Sequence, residues 1–247
     1  MKLTTSAQMR ELDRIAIEER HIPSVELMER AAEIPGVEWL RALYCYPERV
    51  DERLLDTMKR LPNVCDYLDL PMQHISQHIL TDMNRTDTSA HIREVCRMFK
   101  ERGMMLRTTL MVGFPGETDE DFNELMDFVK QTKFDRMGAF MFCPEDGTRA
   151  AEMPNQIPEE VKQERYDRLM TLQHGISLAQ NKARVGTTCR VLVEKKRGSR
   201  YVGRSEYEAP ETDGSIFFGS DEPCEIGSFV NVKITGAKAY DLMGERI

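Results

Sequence analysis

Apolar positions fall into two textures along the chain. In the first, short apolar runs alternate with stretches whose apolar residues recur at helical spacing. The run WLRALYCYP precedes a stretch after Asp51 that places Leu54, Leu55, Met58 and Leu61 on one helix face. VCDYLDLP comes before a helix from about Thr88 to Phe99 that stops at Gly103, and MMLRTTLMVGFP before one opening at Thr118 with Phe122, Leu125, Met126 and Val129 inward. Asp119, Glu120 and Asp121 stand in the first turn of that helix, where carboxylates favour the positive end of the dipole. MGAFMFCP closes the series, and a long helix follows from near Pro158 through Val161, Tyr166, Leu169 and Leu172 towards Gly186, with Gly175 a weak point inside it. Strands alternating with helices predict parallel β/α units, and strands covered on both faces tolerate continuous apolar runs such as MMLRTTLMVGF. Beyond Gly186 the texture is all-β: TCRVLVEKK, RYVGRSEYEAP, the turn Thr212-Asp213-Gly214, SIFFG and FVNVKITGAKAYDLMGERI predict a small barrel of OB-like character. Ahead of the first run, Thr5 and Gln8 at capping-box spacing open a helix carrying Met9, Leu12, Ile15 and Ala16. His21-Ile22-Pro23-Ser24 breaks it, Ser24 caps a short second helix over VELMERAA, and Ile34-Pro35-Gly36 turns the chain.

The 247 residues allow one large domain or two smaller ones. With 34 basic against 42 acidic side chains the net charge is −8 and the pI near 5.3, which argues against non-specific coating of nucleic acid but leaves room for a local basic patch. Hydrophobic content of 40% beside 31% charged residues excludes collagen-like and wholly disordered classes. No segment approaches the roughly 20 apolar residues of a spanning helix, and the first residues carry no apolar signal core, so a cytoplasmic address without a membrane partner is expected. None of the six cysteines lies within fewer than 20 positions of another, so no C-x-x-C pair exists and reduced thiols are expected.

Gly113-Phe114-Pro115-Gly116-Glu117-Thr118 joins an apolar run to a helix N-terminus, where free N–H groups face any ligand; it reads equally as a generic strand-to-helix turn. It has neither the Lys-Ser/Thr of a P-loop nor the spacing of a dinucleotide fingerprint. His74 and His78 stand four positions apart, which on a helix would put them on one face, but Ile75 occupies the place where the zinc-protease motif needs a glutamate. The many carboxylates lie mainly in helix first turns, which leaves paired-carboxylate hydrolysis unsupported. Lys195, Lys196, Arg197, Arg200 and Arg204 cluster around one hairpin with Tyr201 and Tyr207 interleaved, a composition that suits RNA phosphates and bases. Glu206, Glu208, Glu211 and Asp213 dilute that field, so a solvated loop of mixed charge is the alternative.

The stretches WLRALYCYPERV, YLDLPMQHIS, MNRTD, LRTTLMVGFPGETDEDF, FDRMGAFMFCPEDGTRAAEMP and EEVKQERYDRLMTLQ, followed by a barrel ending in AYDLMGERI, resemble the radical S-adenosylmethionine methylthiotransferases of the MiaB/RimO family with a TRAM domain. The likeness runs from about Glu33 to Ile247, and YLDLPMQH points to the RimO type, which modifies an aspartate of small-subunit ribosomal protein twelve. It implies a truncated partial (β/α) barrel at 33–181 and a small OB-like TRAM β-barrel at 182–247, with S-adenosylmethionine held at the C-terminal ends of the strands. By this resemblance Gln73 and Thr109 face the ribose of the cofactor, Arg85 grips its carboxylate, and Gly113 and Gly116 let the backbone approach its adenine. Thr109 reads alternatively as a plain strand residue, and Arg85 as the partner of Asp82 or Asp87. The implied partners are the ribosomal protein or the ribosome, and RNA through Lys195, Lys196, Arg197 and Arg200 of the TRAM barrel.

The sequence departs from the family in lacking the C-x-x-x-C-x-x-C loop that holds the 4Fe-4S cluster, and the first two barrel strands with it. This chain by itself is therefore expected to bind no cluster and to leave S-adenosylmethionine uncleaved, so that a non-catalytic fragment binding RNA or ribosomal protein is the alternative function. An exposed sheet edge is expected where the missing strands belong. Residues 1–32 resemble instead the opening helices of an NAD(P)H-hydrate epimerase domain, which places a junction of two parents near Ala32 to Pro35.

Overall fold

The computed structural model describes residues 24–247; Thr5, Gln8 and the first helix expected from them lie outside the described residues. Helix α1 (Ser24–Ala32) covers the expected short second helix. The alternating part then runs β1 (Leu40–Ala42), α2 (Glu52–Arg60), β2 (Val64–Asp69), α3 (Gln77–Asp82), α4 (Ser89–Glu101), β3 (Met105–Val112), α5 (Asp119–Thr132), β4 (Arg136–Met141), α6 (Arg149–Glu152) and α7 (Glu159–Ala183). Strand order is β1-β2-β3-β4, and β3 pairs with β4 in parallel, Thr109 opposite Gly138.

Helix starts follow from capping. Asp51 accepts from Leu54 N–H, Thr88 from His91 N–H, and Thr118 forms a full capping box with Asp121, each satisfying donors that a first turn leaves open. The inward faces of α4 and α5 bury Ile92, Val95, Phe99, Phe122, Leu125 and Phe128. The expectation of strands buried on both faces needs correction for β3. Leu106, Thr108, Leu110 and Val112 are buried, whereas Met105, Arg107, Thr109 and Met111 stay partly accessible. The strand has one packed face and one open face, which leaves room for a cavity.

The apolar run at Trp39 yields only three strand residues, because Tyr44 turns the chain at φ 58°. Gly175 does not interrupt α7.

The closing part is a closed five-stranded barrel, ordered β5 (Thr188–Arg197), β6 (Arg200–Arg204), β7 (Ile216–Gly219), β9 (Leu242–Arg246) and β8 (Phe229–Ala237). Parallel pairing of β7 with β9 and antiparallel closure of β5 on β8 complete the OB-like arrangement. Its core is Val191, Val193, Tyr201, Ile216, Phe218, Val232, Ile234 and Leu242. By compactness the chain forms two units. One takes the described residues to Ala42, Asp51–Tyr67 and Leu178–Ile247; the other takes Leu43–Val50 and Leu68–Ser177. Among the described residues no helix is long and apolar enough to cross a membrane.

Candidate cofactor cavity

The second unit holds a cavity of about 600 Å³, within the usual range for small-molecule sites, built from the segments that follow β2, β3 and β4. Gln73, Arg85, Met111, Phe114, Phe142 and Met153 are among its lining residues. Phe114 and Phe142 meet edge to face with ring centroids 5.2 Å apart, and Ile79 packs with them.

Gln73 reaches this wall because the chain after β2 is zipped onto β3. Its N–H donates to Thr109 O at 2.9 Å, and its carbonyl accepts from Met111 N–H at 2.7 Å. That pairing holds Gln73 at φ 68°, a conformation costly for a residue with a Cβ. Arg85 lies across the ring of Tyr46, 5.4 Å from its centroid. Its Nη2 donates to Pro71 O at 3.1 Å and to Asp87 Oδ2 at 2.9 Å, while the buried Nε has no hydrogen-bond partner. The pairing with Asp87 foreseen as an alternative is therefore real, and it leaves the guanidinium unsaturated. Burial and the hydrogen-bonded Glu48 carboxyl push the Asp87 carboxyl up despite Arg85.

Thr109 stands on the accessible face of β3, the face that carries Met111, but does not itself line the cavity. The buried hydroxyl here belongs to its neighbour Thr108, which donates to Leu70 O at 2.8 Å and accepts from Met72 N–H at 3.3 Å. Gly113, at φ 74°, has the space beside its Cα filled by the protein: a Cβ there would lie 2.3 Å from Lys162 Cγ. Its N–H donates to Glu117 Oε2 at 2.8 Å. Gly116 donates to Asn155 O at 2.9 Å, and its nearest neighbour on the Cβ side is the His78 ring. Neither glycine lines the cavity, and the space beside Gly113 is filled by Lys162.

His74 and His78 do not share a helix face, because α3 begins only at Gln77. His74 is fully buried and accepts from Ser76 N–H through Nδ1, whereas His78 is exposed beside Asp82 and Asp121. Among the described residues no group of three or more His, Cys, Asp or Glu could hold a metal ion. Burial pushes the Cys65 thiol up to about 11, Cys96 to about 12 and Cys189 to about 11.

In the barrel, Lys195, Lys196, Arg197 and Arg200 are exposed on the β5–β6 hairpin, which carries an irregularity between Val193 and Lys195. The interleaved aromatics are not presented with them. Tyr201 is buried, stacked on Phe218 at 5.7 Å, and its hydroxyl accepts from Cys224 N–H. Tyr207 packs under Arg184, and Arg204 donates to Glu194. Tyr201 pairs across the hairpin with Lys196, whose Nζ lies 5.1 Å from the ring centroid, so the lysine shields the ring from solvent.

Met83, Phe114, Phe142, Arg149 and Met153 line the cavity without having been singled out in the sequence. Two carried a signal: Phe114 and Phe142 each stand within two residues of a strand end and of a proline, Pro115 or Pro144. Flat apolar walls, a side-chain amide and an unsaturated guanidinium suit a ligand with a planar ring, hydroxyls and an anionic group.

Comparison with known proteins agrees with this architecture. Residues 18–129 match the Radical SAM superfamily and residues 185–247 match the TRAM domain. The chain is 49% identical over 225 residues to the ribosomal protein uS12 methylthiotransferase RimO of Desulforamulus reducens, covering 89% of this chain and 51% of that protein. To the RimO of Desulfitobacterium hafniense it is 46% identical, covering 92% and 51%. The chain thus spans about half the length of the curated relatives it matches. Among solved structures, coproporphyrinogen III oxidase (HemN) from Escherichia coli superposes with a TM-score of 0.51 at 11% identity over 81% of this chain and 59% of that one, a likeness of fold.

Proposed function

We propose, on the premise that this chain is homologous to about half of the uS12 methylthiotransferases named RimO and carries Radical SAM and TRAM segments, that its cavity takes S-adenosylmethionine and that the whole protein methylthiolates an aspartate of small-subunit ribosomal protein twelve. The observation that carries this reading is the convergence of Gln73, Arg85, Phe114 and Phe142 on one cavity at the strand ends. Ligands of parallel α/β folds bind at that end of the sheet.

Each wall has a matching task. The Gln73 amide can bond ribose hydroxyls, the unsaturated Arg85 guanidinium can take the carboxylate, and the Phe114 and Phe142 rings can flank the adenine and exclude water. When bound, S-adenosylmethionine would supply an electron-poor sulfonium centre that activates its carbon–sulfur bonds towards cleavage. The described residues do not fit the 4Fe-4S cluster that family members use for that reduction, and in this reading the chain by itself binds the cofactor without cleaving it. Thr109 supports the site through its carbonyl, which accepts from Gln73 N–H, while Gly113 and Gly116 shape the turn that carries Phe114.

A second reading rests on the exposed cationic tip of the barrel. Lys195, Lys196, Arg197 and Arg200 offer an electrostatic contact for RNA or for the ribosome, in the cytoplasm.

Equilibrium dialysis of the chain against S-adenosylhomocysteine, adenosine and homocysteine tests the first reading. Saturable binding of S-adenosylhomocysteine, weaker binding of adenosine and the weakest binding of homocysteine are expected. Equal or absent binding of all three contradicts it.

A further inference from the structure

Beside the cavity lies a buried charged cluster that touches no part of the space the ligand would fill. Glu117 is fully buried, and its carboxylate ties together segments distant in sequence. Oε2 accepts from Gly113 N–H at 2.8 Å, and Oε1 accepts from Arg165 Nη1 at 2.7 Å. The same Nη1 donates to Glu117 O at 3.1 Å, while Arg165 Nη2 reaches Asp119 Oδ1 at 2.7 Å. His74 Nε2 stands 3.6 Å from Glu117 Oε2. Nδ1 of that ring accepts from Ser76 N–H, and its buried Nε2 faces the Glu117 carboxylate without a hydrogen-bond partner. One helical turn away on α7, buried Lys162 donates to Phe142 O at 2.9 Å while its stem fills the space at Gly113.

Burying two cations and a carboxylate is expensive unless geometry and hydrogen bonding are well satisfied. Three of these groups sit next to, or hold, a residue that lines the cavity. His74 follows Gln73, Gly113 precedes Phe114, and Phe142 is gripped through its own carbonyl. Resting on the reading of the cavity as a cofactor site, we propose that Glu117, Arg165, His74 and Lys162 are its positioning residues: the start of α7 holds the turns bearing Gln73, Phe114 and Phe142 at the separation that S-adenosylmethionine requires.

The test uses the full chain and the variants Glu117→Gln, Arg165→Met, Arg165→Lys and the double Glu117→Gln/Arg165→Met. Amide hydrogen exchange over residues 112–118 is compared with exchange over the barrel strands, and affinity for S-adenosylhomocysteine is measured in parallel. Glu117→Gln and Arg165→Met should each speed exchange in 112–118 while leaving the barrel unchanged, and weaken binding about tenfold. Arg165→Lys, which keeps the charge, should recover part of both, and the double variant should be no worse than the poorer single one. Unchanged exchange in 112–118, or equal acceleration in the barrel, overturns the proposal. Failure of the wild-type chain to bind S-adenosylhomocysteine removes the cofactor reading alone, since the exchange data still decide whether the cluster positions these turns.

Discussion

Gly113 sits at φ 74° with Lys162 packed where a side chain would begin. Gly113→Ala therefore meets both the left-handed backbone penalty, about 1–2 kcal/mol, and a clash with a buried stem; a loss of about 2 kcal/mol or more in urea unfolding is expected. Asp121 carries the pH dependence of the same turn. Burial pulls its carboxyl up, but hydrogen bonds from Ser76, the Thr118 backbone and hydroxyl, and His78 outweigh that and hold it below its ordinary 3.8. The folded value being the lower, this stabilisation is present above 3.8 and is lost as the pH falls through the folded value. Asp121→Asn should cost about 1 kcal/mol at neutral pH through loss of the capping box and should flatten the acid limb of stability against pH. The family resemblance singled out Gln73 and Arg85 through YLDLPMQH and MNRTD, and both residues line the cavity. Thr108 and Thr109 differ only in which face of β3 they occupy, and that is set by packing outside the strand. His74 and His78 do not share the helix face their spacing allows, because spacing says nothing about where α3 begins.

At the scale of elements, caps and long apolar periods carried the reading. Asp51, Thr88 and Thr118 each cap the helix expected after them, and α7 runs from Glu159 as its spacing requires. The short helices α3 and α6 were not legible, since six and four residues hold too few turns to show a helical period. Gly175 lies exposed in α7 with nothing within 4 Å of a Cβ placed there. Gly175→Ala is expected to raise stability by about 0.5–1 kcal/mol, seen as a higher midpoint in thermal unfolding. The β5–β6 hairpin offers charge without stacking, because Tyr201 is used by the barrel core. RNA binding, where it occurs, should therefore be strongly salt-dependent, and replacing Lys195, Lys196 and Arg197 by alanine should reduce the slope of log K against log salt by about 0.7 for each phosphate no longer neutralised. A slope unchanged in the triple variant would place the RNA elsewhere on the protein.

For the whole molecule, the order of β/α units followed by a barrel was visible in the change of texture at Gly186, and the strand order and closed barrel agree with it. The cavity was only partly visible, since it is assembled from segments between Gln73 and Met153 that come together through parallel pairing. Thiol chemistry offers a check on the packing. Cys143 is exposed while Cys65 and Cys96 are buried with thiols displaced upward, so a neutral-pH alkylating reagent should label Cys143 before either, and those two only on unfolding. The most direct measurement is calorimetric titration of S-adenosylhomocysteine into the full chain and into Arg85→Gln. The expected result is one saturable site in the wild-type chain and affinity lowered about tenfold or more in the variant, through loss of a charge-assisted hydrogen bond. No heat in the wild-type chain, or equal affinity in both, would contradict the assignment of this cavity to the cofactor.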